Sequence, residues 1–427
     1  MLIVGIVVLV LLVISIPIGI ALSASSAVYI LIDPLLEPEV IFRAFFNFIG
    51  RYSLMAIPLF IYAGFLMERT GLIKQLFNFA DALVGWMPGG FGVSTILACV
   101  LFASISGSSV ASAAAMSVIA IPEMTKRGYP DWLSSGIVAG NGGIAILIPP
   151  SIALILYGIV TETSIVQLFF AGVIPGLLLA TTSIITVMLI SLKIKLPRGT
   201  FEGARLAREI KGALPGLGMP VIILGGLYGG VFTPTEAAAA ACGYAMIYGL
   251  ISGRAEFVSQ LIPITRRALN LTAVILFLVG SVGVFQFLAA NLYWPQEITK
   301  VVTSWGLTQL GFIFAFMGVL LILGCFVDGI AMVLLTVPVV FPIAHALKID
   351  PIHLGIMLTL AVEMSVITPP VGLNLFAVSG TSNIPITTVM KGSIPFFGAD
   401  LVTLLIVIFV PATATWLPSV LVKSVFN

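Results

Sequence analysis

The hydrophobic positions of the chain form long apolar stretches rather than short alternating ones. The stretches of membrane-spanning length include Leu2–Ile32, Ile165–Leu192, Leu271–Ala290 and Ile394–Ala414. A transmembrane helix needs about 20 apolar residues in a row. The strands of a membrane barrel would be shorter, about 10 residues, with every second residue polar. The pattern therefore predicts an all-α integral membrane protein.

Two apolar segments are interrupted in the same way. Asn141–Ser151 reads NGGIAILIPPS, Glu363–Asn374 reads EMSVITPPVGLN, and their proline pairs lie 220 residues apart. The same offset superimposes three further pairs: Pro122 on Pro342, Gly172 on Gly392 and Pro175 on Pro395. We interpret this agreement as an internal duplication. Helices broken at corresponding positions of two halves favour a solute carrier, because unwound backbone leaves amides and carbonyls free for a solute and its coupling ions.

The composition supports a membrane location and argues against several chemistries. Hydrophobic residues make up 60% of the 427 residues and charged residues 8%, and the mean hydropathy is +1.21, which excludes a soluble protein of this length. Cys99, Cys242 and Cys325 have no paired spacing, so neither a disulfide nor a zinc site is expected. No phosphate-binding loop of the form GxxxxGKS/T occurs. Energy is therefore expected from an ion gradient or a partner, without an organic cofactor.

The 19 Lys and Arg residues predict an orientation in the membrane. The densest basic cluster lies at 193–211, and basic loops remain in the cytoplasm. Counting outward from it puts 14 basic residues inside and five outside, provided that 91–124 and 310–344 are re-entrant hairpins that enter and leave by one face. The five outside are Arg43, Arg51, Lys300, Lys348 and Lys423. The count predicts a cytoplasmic N-terminus, an external C-terminus and two inverted repeats.

These features predict four regions. They are 1–52, an N-terminal helix and a surface helix of a scaffold; 53–192, repeat 1 with hairpin 91–124 and broken helix 131–160; 193–254, a basic cytoplasmic loop and a helical pair; and 255–427, a second surface helix and repeat 2 with hairpin 310–344 and broken helix 352–380. The surface helices are expected at 37–49 and 255–267, where charges occur at helical spacing. Within the helical pair, Thr233, Pro234 and Glu236 predict a capping box.

The tip of the first hairpin carries a run of small hydroxyl residues around a glycine, from Ser104 to Ser109. Hydroxyl and free carbonyl oxygens are the ligands that a hard cation such as sodium prefers. A helix that begins just beyond the run would present its amides to a carboxylate. The alternative is that the small residues allow close helix contact. The broken segment at 141–151 favours the binding interpretation.

Four acidic residues lie in apolar surroundings. Asp328, in the middle of LLILGCFVDGIAMVLL, must lie in a water-filled cavity, be paired or be neutral, and the 220-residue offset places it on Ser108. Glu363 opens the second break and falls on Gly143 under the same offset. A functional role and a structural role, as a protonated or hydrogen-bonded packing residue, explain Glu363 equally well. The remaining two, which could pair with partner subunits or with basic loops, are Asp81 and Asp400.

Six motifs are distributed over essentially the whole chain. They are AIPLFIYAGFLMERTG, ISGSSVASAAAMSVIAIPEM, NGGIAILIPPSIALILYG, LFFAGVIPGLLLA, GGLYGGVFTPTEAAAAA and ITPPVGLNLF. Together they resemble the large membrane (M) subunit of tripartite ATP-independent periplasmic (TRAP) transporters. The resemblance implies a sodium-driven secondary importer rather than an enzyme. It also implies an elevator mechanism, in which a transport domain of two hairpins and two broken helices slides against a scaffold.

The resemblance further implies partners and a location. A soluble periplasmic substrate-binding protein would deliver an organic acid, and a small membrane subunit of four helices would enlarge the scaffold. Because this chain has no N-terminal extension, the small subunit is expected as a separate chain. The protein is expected as a multi-pass protein of the lipid bilayer of the bacterial inner membrane, with no nucleic acid partner.

Carried onto matching positions, the resemblance implies two sodium sites with a substrate site between them. The first sodium site comprises Ser104, Ser106, Ser108, Asn141 and Gly143. The second comprises Gly324, Cys325, Asp328, Thr368, Gly372 and Asn374. The substrate carboxylate is expected near Ser108, Ser109, Pro150 and Asn141.

The family leaves the substrate open among C4-dicarboxylates, sialic acids and other sugar acids. All arginines are expected in loops or surface helices, so none could clamp a second carboxylate, which favours a monocarboxylate. Two other functions remain open: a stand-alone sodium and dicarboxylate symporter of the same architecture, and an intramembrane enzyme that uses Asp328, Glu363 and the serine run. An enzyme would give no reason for the duplicated break. A channel is disfavoured because the spans are too apolar for a continuous polar lining.

Overall fold

Helices supply the regular structure of the described part of the chain, which comprises residues 2–14, 16–325, 327–369 and 371–425 of a computed structural model. No strand occurs among these residues, as predicted. Pro370, the second proline of the second break, lies outside them. The helices of the first half are α1 (Leu2–Val13), α2 (Ile18–Ile32), α3 (Glu39–Ile49), a 3₁₀ turn (Tyr52–Met55), α4 (Ala56–Glu68), α5 (Leu72–Val84), α6 (Gly90–Ser106), α7 (Ser109–Lys126), α8 (Asp131–Gly142), α9 (Ile144–Leu147), α10 (Ile152–Thr161) and α11 (Ile165–Ile194).

The second half has longer linking helices and then repeats the pattern of the first. Its helices are α12 (Gly203–Tyr228), α13 (Pro234–Asn291), α14 (Trp294–Ser304), α15 (Gln309–Gly324), α16 (Gly329–Ala346), α17 (Pro351–Ser365), α18 (Leu373–Ser382), α19 (Ile386–Phe409) and α20 (Ala412–Val425). Helices α7 and α16 both have 18 residues, and both ends of α16 lie 220 residues after those of α7. The helix bounds confirm the internal repeat.

Both predicted hairpins and both predicted breaks are present. Helices α6 and α7 meet at Gly107, whose φ of 59° lies in the left-handed region that suits glycine; residues 325–328 join α15 and α16. The first broken helix comprises α8, α9 and α10, and the second comprises α17 and α18. By length and composition, six helices of the described residues could cross a membrane, or seven if α3 and Tyr52–Glu68, bent by 60°, count as one span.

One expected boundary is wrong. The segment 255–267, predicted as a separate surface helix, lies inside α13, which runs without interruption from Pro234 to Asn291. Charges at helical spacing reveal a polar face, but they do not end a helix unless a cap or a turn follows. The start of α13 agrees with the prediction. The Thr233 hydroxyl accepts from the Glu236 amide at 3.3 Å, and the Glu236 carboxylate accepts from the Thr233 amide at 2.8 Å, which completes the capping box.

Contacts between helices divide the molecule into two groups. The scaffold group consists of α2, α3, α4 and α12 packed around α13. The hairpin group consists of the two hairpins, the two broken helices, α11 and α19. Helix α5 packs on both α12 and α6, and α14 packs on both α13 and α16, so each of these short helices links the groups.

The two repeats exchange parts within the hairpin group. Helix α7 of the first hairpin packs on α8 of its own repeat and on α18 of the other. Correspondingly, α16 of the second hairpin packs on α17 of its own repeat and on α10 of the first. The second half of each broken helix therefore lies against the other repeat's hairpin. This arrangement brings both tips and both breaks to the middle of the group.

Candidate functional site

Both hairpin tips face one small cavity. Its volume is about 90 Å³, and its walls include Ser108 and Ser109 from the first tip and Asp328 from the second. The remaining lining comes from the two breaks and the helices beside them, including Ile146, Ile152, Val366 and Leu373. Parts that are far apart in the sequence thus form one composite site around this cavity, which we call the central cavity.

The first tip lies directly against the first break. A Cβ atom on Gly107 would come within 2.8 Å of the Pro150 carbonyl oxygen, so only glycine fits there. The hydroxyl groups of the tip bond locally: Ser104 donates to the Leu101 carbonyl at 2.7 Å and Ser106 to the Ser108 carbonyl at 3.3 Å. Turning the Ser106 side chain towards a ligand would therefore cost only this long, weak hydrogen bond.

The first tip is also bonded to the second repeat. The Ser109 hydroxyl donates to Asn374 Oδ1 at 2.9 Å, and Asn374 Nδ2 donates to the Ala139 carbonyl at 3.3 Å. In the first break, Asn141 Nδ2 donates to the Ile137 carbonyl at 2.8 Å. Its Oδ1 is buried without a hydrogen-bond donor among the described residues. A buried oxygen of this kind is suited to a cation, because burial without a partner is costly.

The second tip lies against the second break. Cys325 Sγ donates to the Pro369 carbonyl at 3.3 Å, and the missing side chain of Gly324 makes room for Ser365. The Thr368 hydroxyl donates to the Met364 carbonyl at 2.7 Å. Gly372 has a φ of 55°, and a Cβ atom there would come within 3.1 Å of the Thr368 carbonyl oxygen. Every residue predicted for the second sodium site thus lies at the second tip or the second break.

The predicted residues do not all reach the same cavity. Ser108, Ser109 and Asp328 line the central cavity, and Pro150 lies beside Gly107 at its edge. Asn141 and Ser104 are buried but line neither the central cavity nor the larger one described below. The geometry therefore brings the tips together as predicted, while the ligand roles of the individual residues stay predictions.

The N-termini of the two tip helices differ in their capping. At α16, Asp328 Oδ1 accepts from the amides of Ile330 at 2.9 Å and Ala331 at 3.2 Å. At α7, Ser108 occupies the cap position without a side-chain cap bond. The first turn of a helix carries unsatisfied amides and a positive dipole end. The carboxylate therefore neutralises this positive end at the second tip, while at the first tip the amides stay available to an anion.

Two acids predicted from the sequence have different surroundings. Asp81 is buried and accepts from Arg205 at 2.6 Å and from Arg127 at 3.4 Å, so it pairs with basic residues of its own chain; Arg205 belongs to the predicted basic loop 193–211 but lies in the first turn of α12. Asp400 is fully buried beside Glu363, also fully buried. The two carboxyl groups interact with each other, and no other residue in the described part of the chain donates a hydrogen bond to either. Asp400 therefore lies against an acid of its own chain, a partner that was neither of the two predicted alternatives.

A larger cavity lies between the scaffold group and the first tip. It measures about 520 Å³ and is lined by α4, by α13 and by the tip residues Ser106 and Ser108; we call it the scaffold cavity. Its polar lining also includes Glu68, Arg267 and Asn270. Every arginine was expected in a loop or a surface helix, and Arg267 is indeed exposed, with 53% of its side chain accessible, but it also lines this cavity. The spacing of 267, 270, 271 and 274 on one face of α13 is the helical signal that could have identified it.

Comparison with known proteins assigns the family. The model of the family described as "Tripartite ATP-independent periplasmic transporter, DctM component" matches residues 5–413. The chain belongs to this family. It is 37% identical to the C4-dicarboxylate TRAP transporter large permease protein DctM of Vibrio cholerae, over 96% of this chain and 95% of that protein. It is 41% identical to the protein of the same name in Pseudomonas aeruginosa, over 86% and 87%. These relatives are transporter permeases, so the chain is a membrane transport component and not an enzyme.

The relatives of this TRAP permease differ in the substrates that their names give. Matching proteins are named for C4-dicarboxylate, sialic acid, isethionate and ectoine. The solved structure of the YdaH transporter of Alcanivorax borkumensis has the same fold, with a TM-score of 0.68 over 94% of this chain and 98% of that one, at 14% identity. The substrate is thus not fixed by these names, whereas membership of the family establishes that the chain is a permease that works with a substrate-binding protein.

Proposed function

We propose that this TRAP permease imports an organic acid, a C4-dicarboxylate, a sialic acid or another sugar acid, by coupling it to sodium entry. The observation that carries the proposal is the central cavity, which has a volume of about 90 Å³ and is lined by Ser108, Ser109 and Asp328. Hydroxyls, an acid and interrupted backbone meet there in an otherwise apolar protein. Such groups are costly inside a membrane unless they bind something.

The open N-terminus of α7 supports an anionic substrate. Its first-turn amides have no side-chain cap, and a carboxylate would accept from them and interact favourably with the helix dipole. The other tip already carries the Asp328 carboxylate, which would repel an anion. The substrate carboxylate therefore belongs at the first tip, near Ser108, Ser109 and Pro150.

Oxygen atoms at the tips and breaks support sodium as the coupling ion. Ser104, Ser106 and Ser108, with the unpartnered Oδ1 of Asn141 and the backbone of Gly143, would supply the first site. Asp328 would supply the second, together with five residues that have been placed at the second tip and break: Gly324, Cys325, Thr368, Gly372 and Asn374. Sodium binding would offset the negative charge that a bound acid brings into the membrane.

The division into two groups of helices supports an elevator mechanism. The hairpin group carries the central cavity, and the scaffold group contacts it mainly through α4, α12 and α13. The amphipathic helices α5 and α14 connect the groups and would act as arms while the hairpin group moves. A separate small membrane subunit would extend the scaffold, and a periplasmic binding protein would deliver the acid at the bacterial inner membrane.

Reconstitution tests the proposal. The chain is purified with its small subunit, placed in liposomes, and supplied with the binding protein loaded with a radiolabelled acid. We expect uptake only when sodium is higher outside than inside and only with the binding protein present. Uptake that ignores the sodium gradient would overturn the coupling. Uptake without the binding protein would instead favour the stand-alone symporter.

A further inference from the structure

Arg267 and Glu68 form an ion pair on the wall of the scaffold cavity. The two residues come from α13 and α4, and they are the charged members of the described lining. Arg267 Nη1 lies 3.3 Å from Glu68 Oε2 and 3.5 Å from Oε1. The guanidinium also lies 4.3 Å from the centre of the Phe65 ring. Stacking on an aromatic face orients an arginine without using its hydrogen-bond donors.

The pair leaves most of the hydrogen-bonding capacity of Arg267 unused. Both contacts to Glu68 use Nη1, and Nη2 and Nε have no acceptor in the described part of the chain. Contacts of 3.3 and 3.5 Å are longer than the ~2.7–2.9 Å of a strong charge-assisted bond. The Arg267 side chain is also 53% exposed and that of Glu68 28%. A carboxylate in the cavity could therefore compete with Glu68 for the guanidinium.

The first hairpin tip also lines the scaffold cavity. Ser106, Ser108, Val110 and Ala111 line it, and the last two belong to the uncapped first turn of α7. The lining of one cavity thus includes two positive features: a helix N-terminus in the hairpin group and a guanidinium in the scaffold group. A solute with an anionic group at each end could contact both at once.

We propose that Arg267 is an anion subsite of the permease. Its guanidinium would release the Glu68 carboxylate and bind a second anionic group of the solute instead. The inference deepens the proposed function, since it rests on a carboxylate held at the first tip. It replaces the monocarboxylate expected from the sequence with a solute that is anionic at both ends. Because Arg267 belongs to the scaffold group, the second anionic group would be released when the hairpin group moves away.

Binding to the purified membrane complex tests this subsite without the binding protein. The chain and its small subunit are titrated in saturating sodium with succinate and with succinamate, in which one carboxylate is replaced by an amide. The apparent dissociation constant is read from thermal unfolding. We expect succinate to bind more tightly than succinamate. Arg267→Gln should weaken succinate binding on the order of tenfold to hundredfold, as loss of a charged hydrogen bond predicts, and remove the preference over succinamate.

Three further variants separate recognition from folding. Arg266→Gln removes an exposed positive charge from the neighbouring position outside the cavity lining and should leave succinate binding unchanged. Glu68→Gln removes the competing carboxylate and should tighten succinate binding. Breaking a purely structural ion pair would not have this effect. Arg267→Lys keeps the positive charge but not the bidentate donor geometry of the guanidinium, so its dissociation constant for succinate should be intermediate.

Two results would overturn the subsite. One is a wild-type complex that binds succinamate as well as succinate, or that binds neither. The other is an Arg267→Gln variant with unchanged succinate binding. Sodium-dependent stabilisation is measured in the same samples without any acid, so loss of the proposed coupling would be seen separately from loss of the subsite.

Discussion

The carboxyl group of Glu363 lies against the backbone of Gly143, the residue that occupies its own position in the other repeat. The two numbers differ by the 220-residue offset of the duplication, and a Cβ atom on Gly143 would overlap the Glu363 side chain. One copy thus has no side chain at the position where the other has a long acidic one. The equivalent positions meet because both breaks point into the middle of the hairpin group.

The Glu363–Gly143 contact predicts a size limit at Gly143. Gly143→Ala should destabilise the protein by about 1–3 kcal/mol, the usual cost of overfilling a core, and lower the melting temperature of the purified chain. Gly398→Ala is the matched control, since Gly398 lies in α19 with open space around it. It should be neutral or mildly stabilising. The double variant Gly143→Ala/Glu363→Ala, in which the long acid is shortened, should recover part of the lost stability. A double variant that melts no higher than Gly143→Ala would refute the contact.

The architecture could be predicted from the sequence because its signals are local. Apolar length gives helices, and paired prolines mark the breaks where a helix cannot continue. The cap at Thr233 is likewise a local pattern. These signals predicted both hairpins, both breaks and the repeat within a few residues.

The contacts between repeats could not be predicted, because they join residues far apart in the chain. The bond from Ser109 to Asn374 spans 265 residues, and no spacing in the sequence indicates it. Arg267 was assigned to a surface helix because its charge suggested an exposed position. The helical spacing of 267, 270, 271 and 274 indicates a shared face, but that this face lines a cavity with α4 follows from the way the two helices pack.

The hydrogen bond between Ser109 and Asn374 should couple the two repeats energetically. Both residues are buried, so Ser109→Ala and Asn374→Ala should each cost about 1–3 kcal/mol, the penalty for leaving a buried partner unsatisfied. The double variant should cost less than the sum, as measured by thermal unfolding in a double-mutant cycle. Ser134→Ala removes a buried hydroxyl that bonds only to its own helix and serves as the control. Strict additivity would mean that the bond contributes nothing.

The cap at α16 separates two roles of Asp328. Asparagine caps a helix as well as aspartate does, so Asp328→Asn should keep the melting temperature while raising the sodium concentration needed for half-maximal uptake. Asp328→Ala should lower the melting temperature as well, by the loss of a cap worth about 0.5–2 kcal/mol. If Asp328→Asn takes up solute like the wild type at limiting sodium, Asp328 is a cap and not a sodium ligand.

The ion pair between Asp81 and Arg205 should matter more than an ion pair at the surface. The Asp81 side chain is 3% exposed, and Arg205 is its nearer partner at 2.6 Å. Arg205→Gln should destabilise the chain by about 1–3 kcal/mol, because the acid keeps only the longer contacts to Arg127 and to the Ser94 hydroxyl, both at 3.4 Å. Lys126→Gln breaks the exposed pair with Glu123 and should cost less than about 1 kcal/mol. Equal losses of melting temperature in the two variants would contradict this ranking.

The exchange of half-helices between the repeats affects how the protein is made. During synthesis, α7 emerges long before α18, the helix of the second repeat on which it packs. The first hairpin therefore lacks its contact with α18 until translation passes Ser382. Repeat 1 expressed alone would leave the surface of α7 that packs on α18 uncovered. A half-length ancestor could have completed the same contacts only as a dimer in which two copies exchanged these helices.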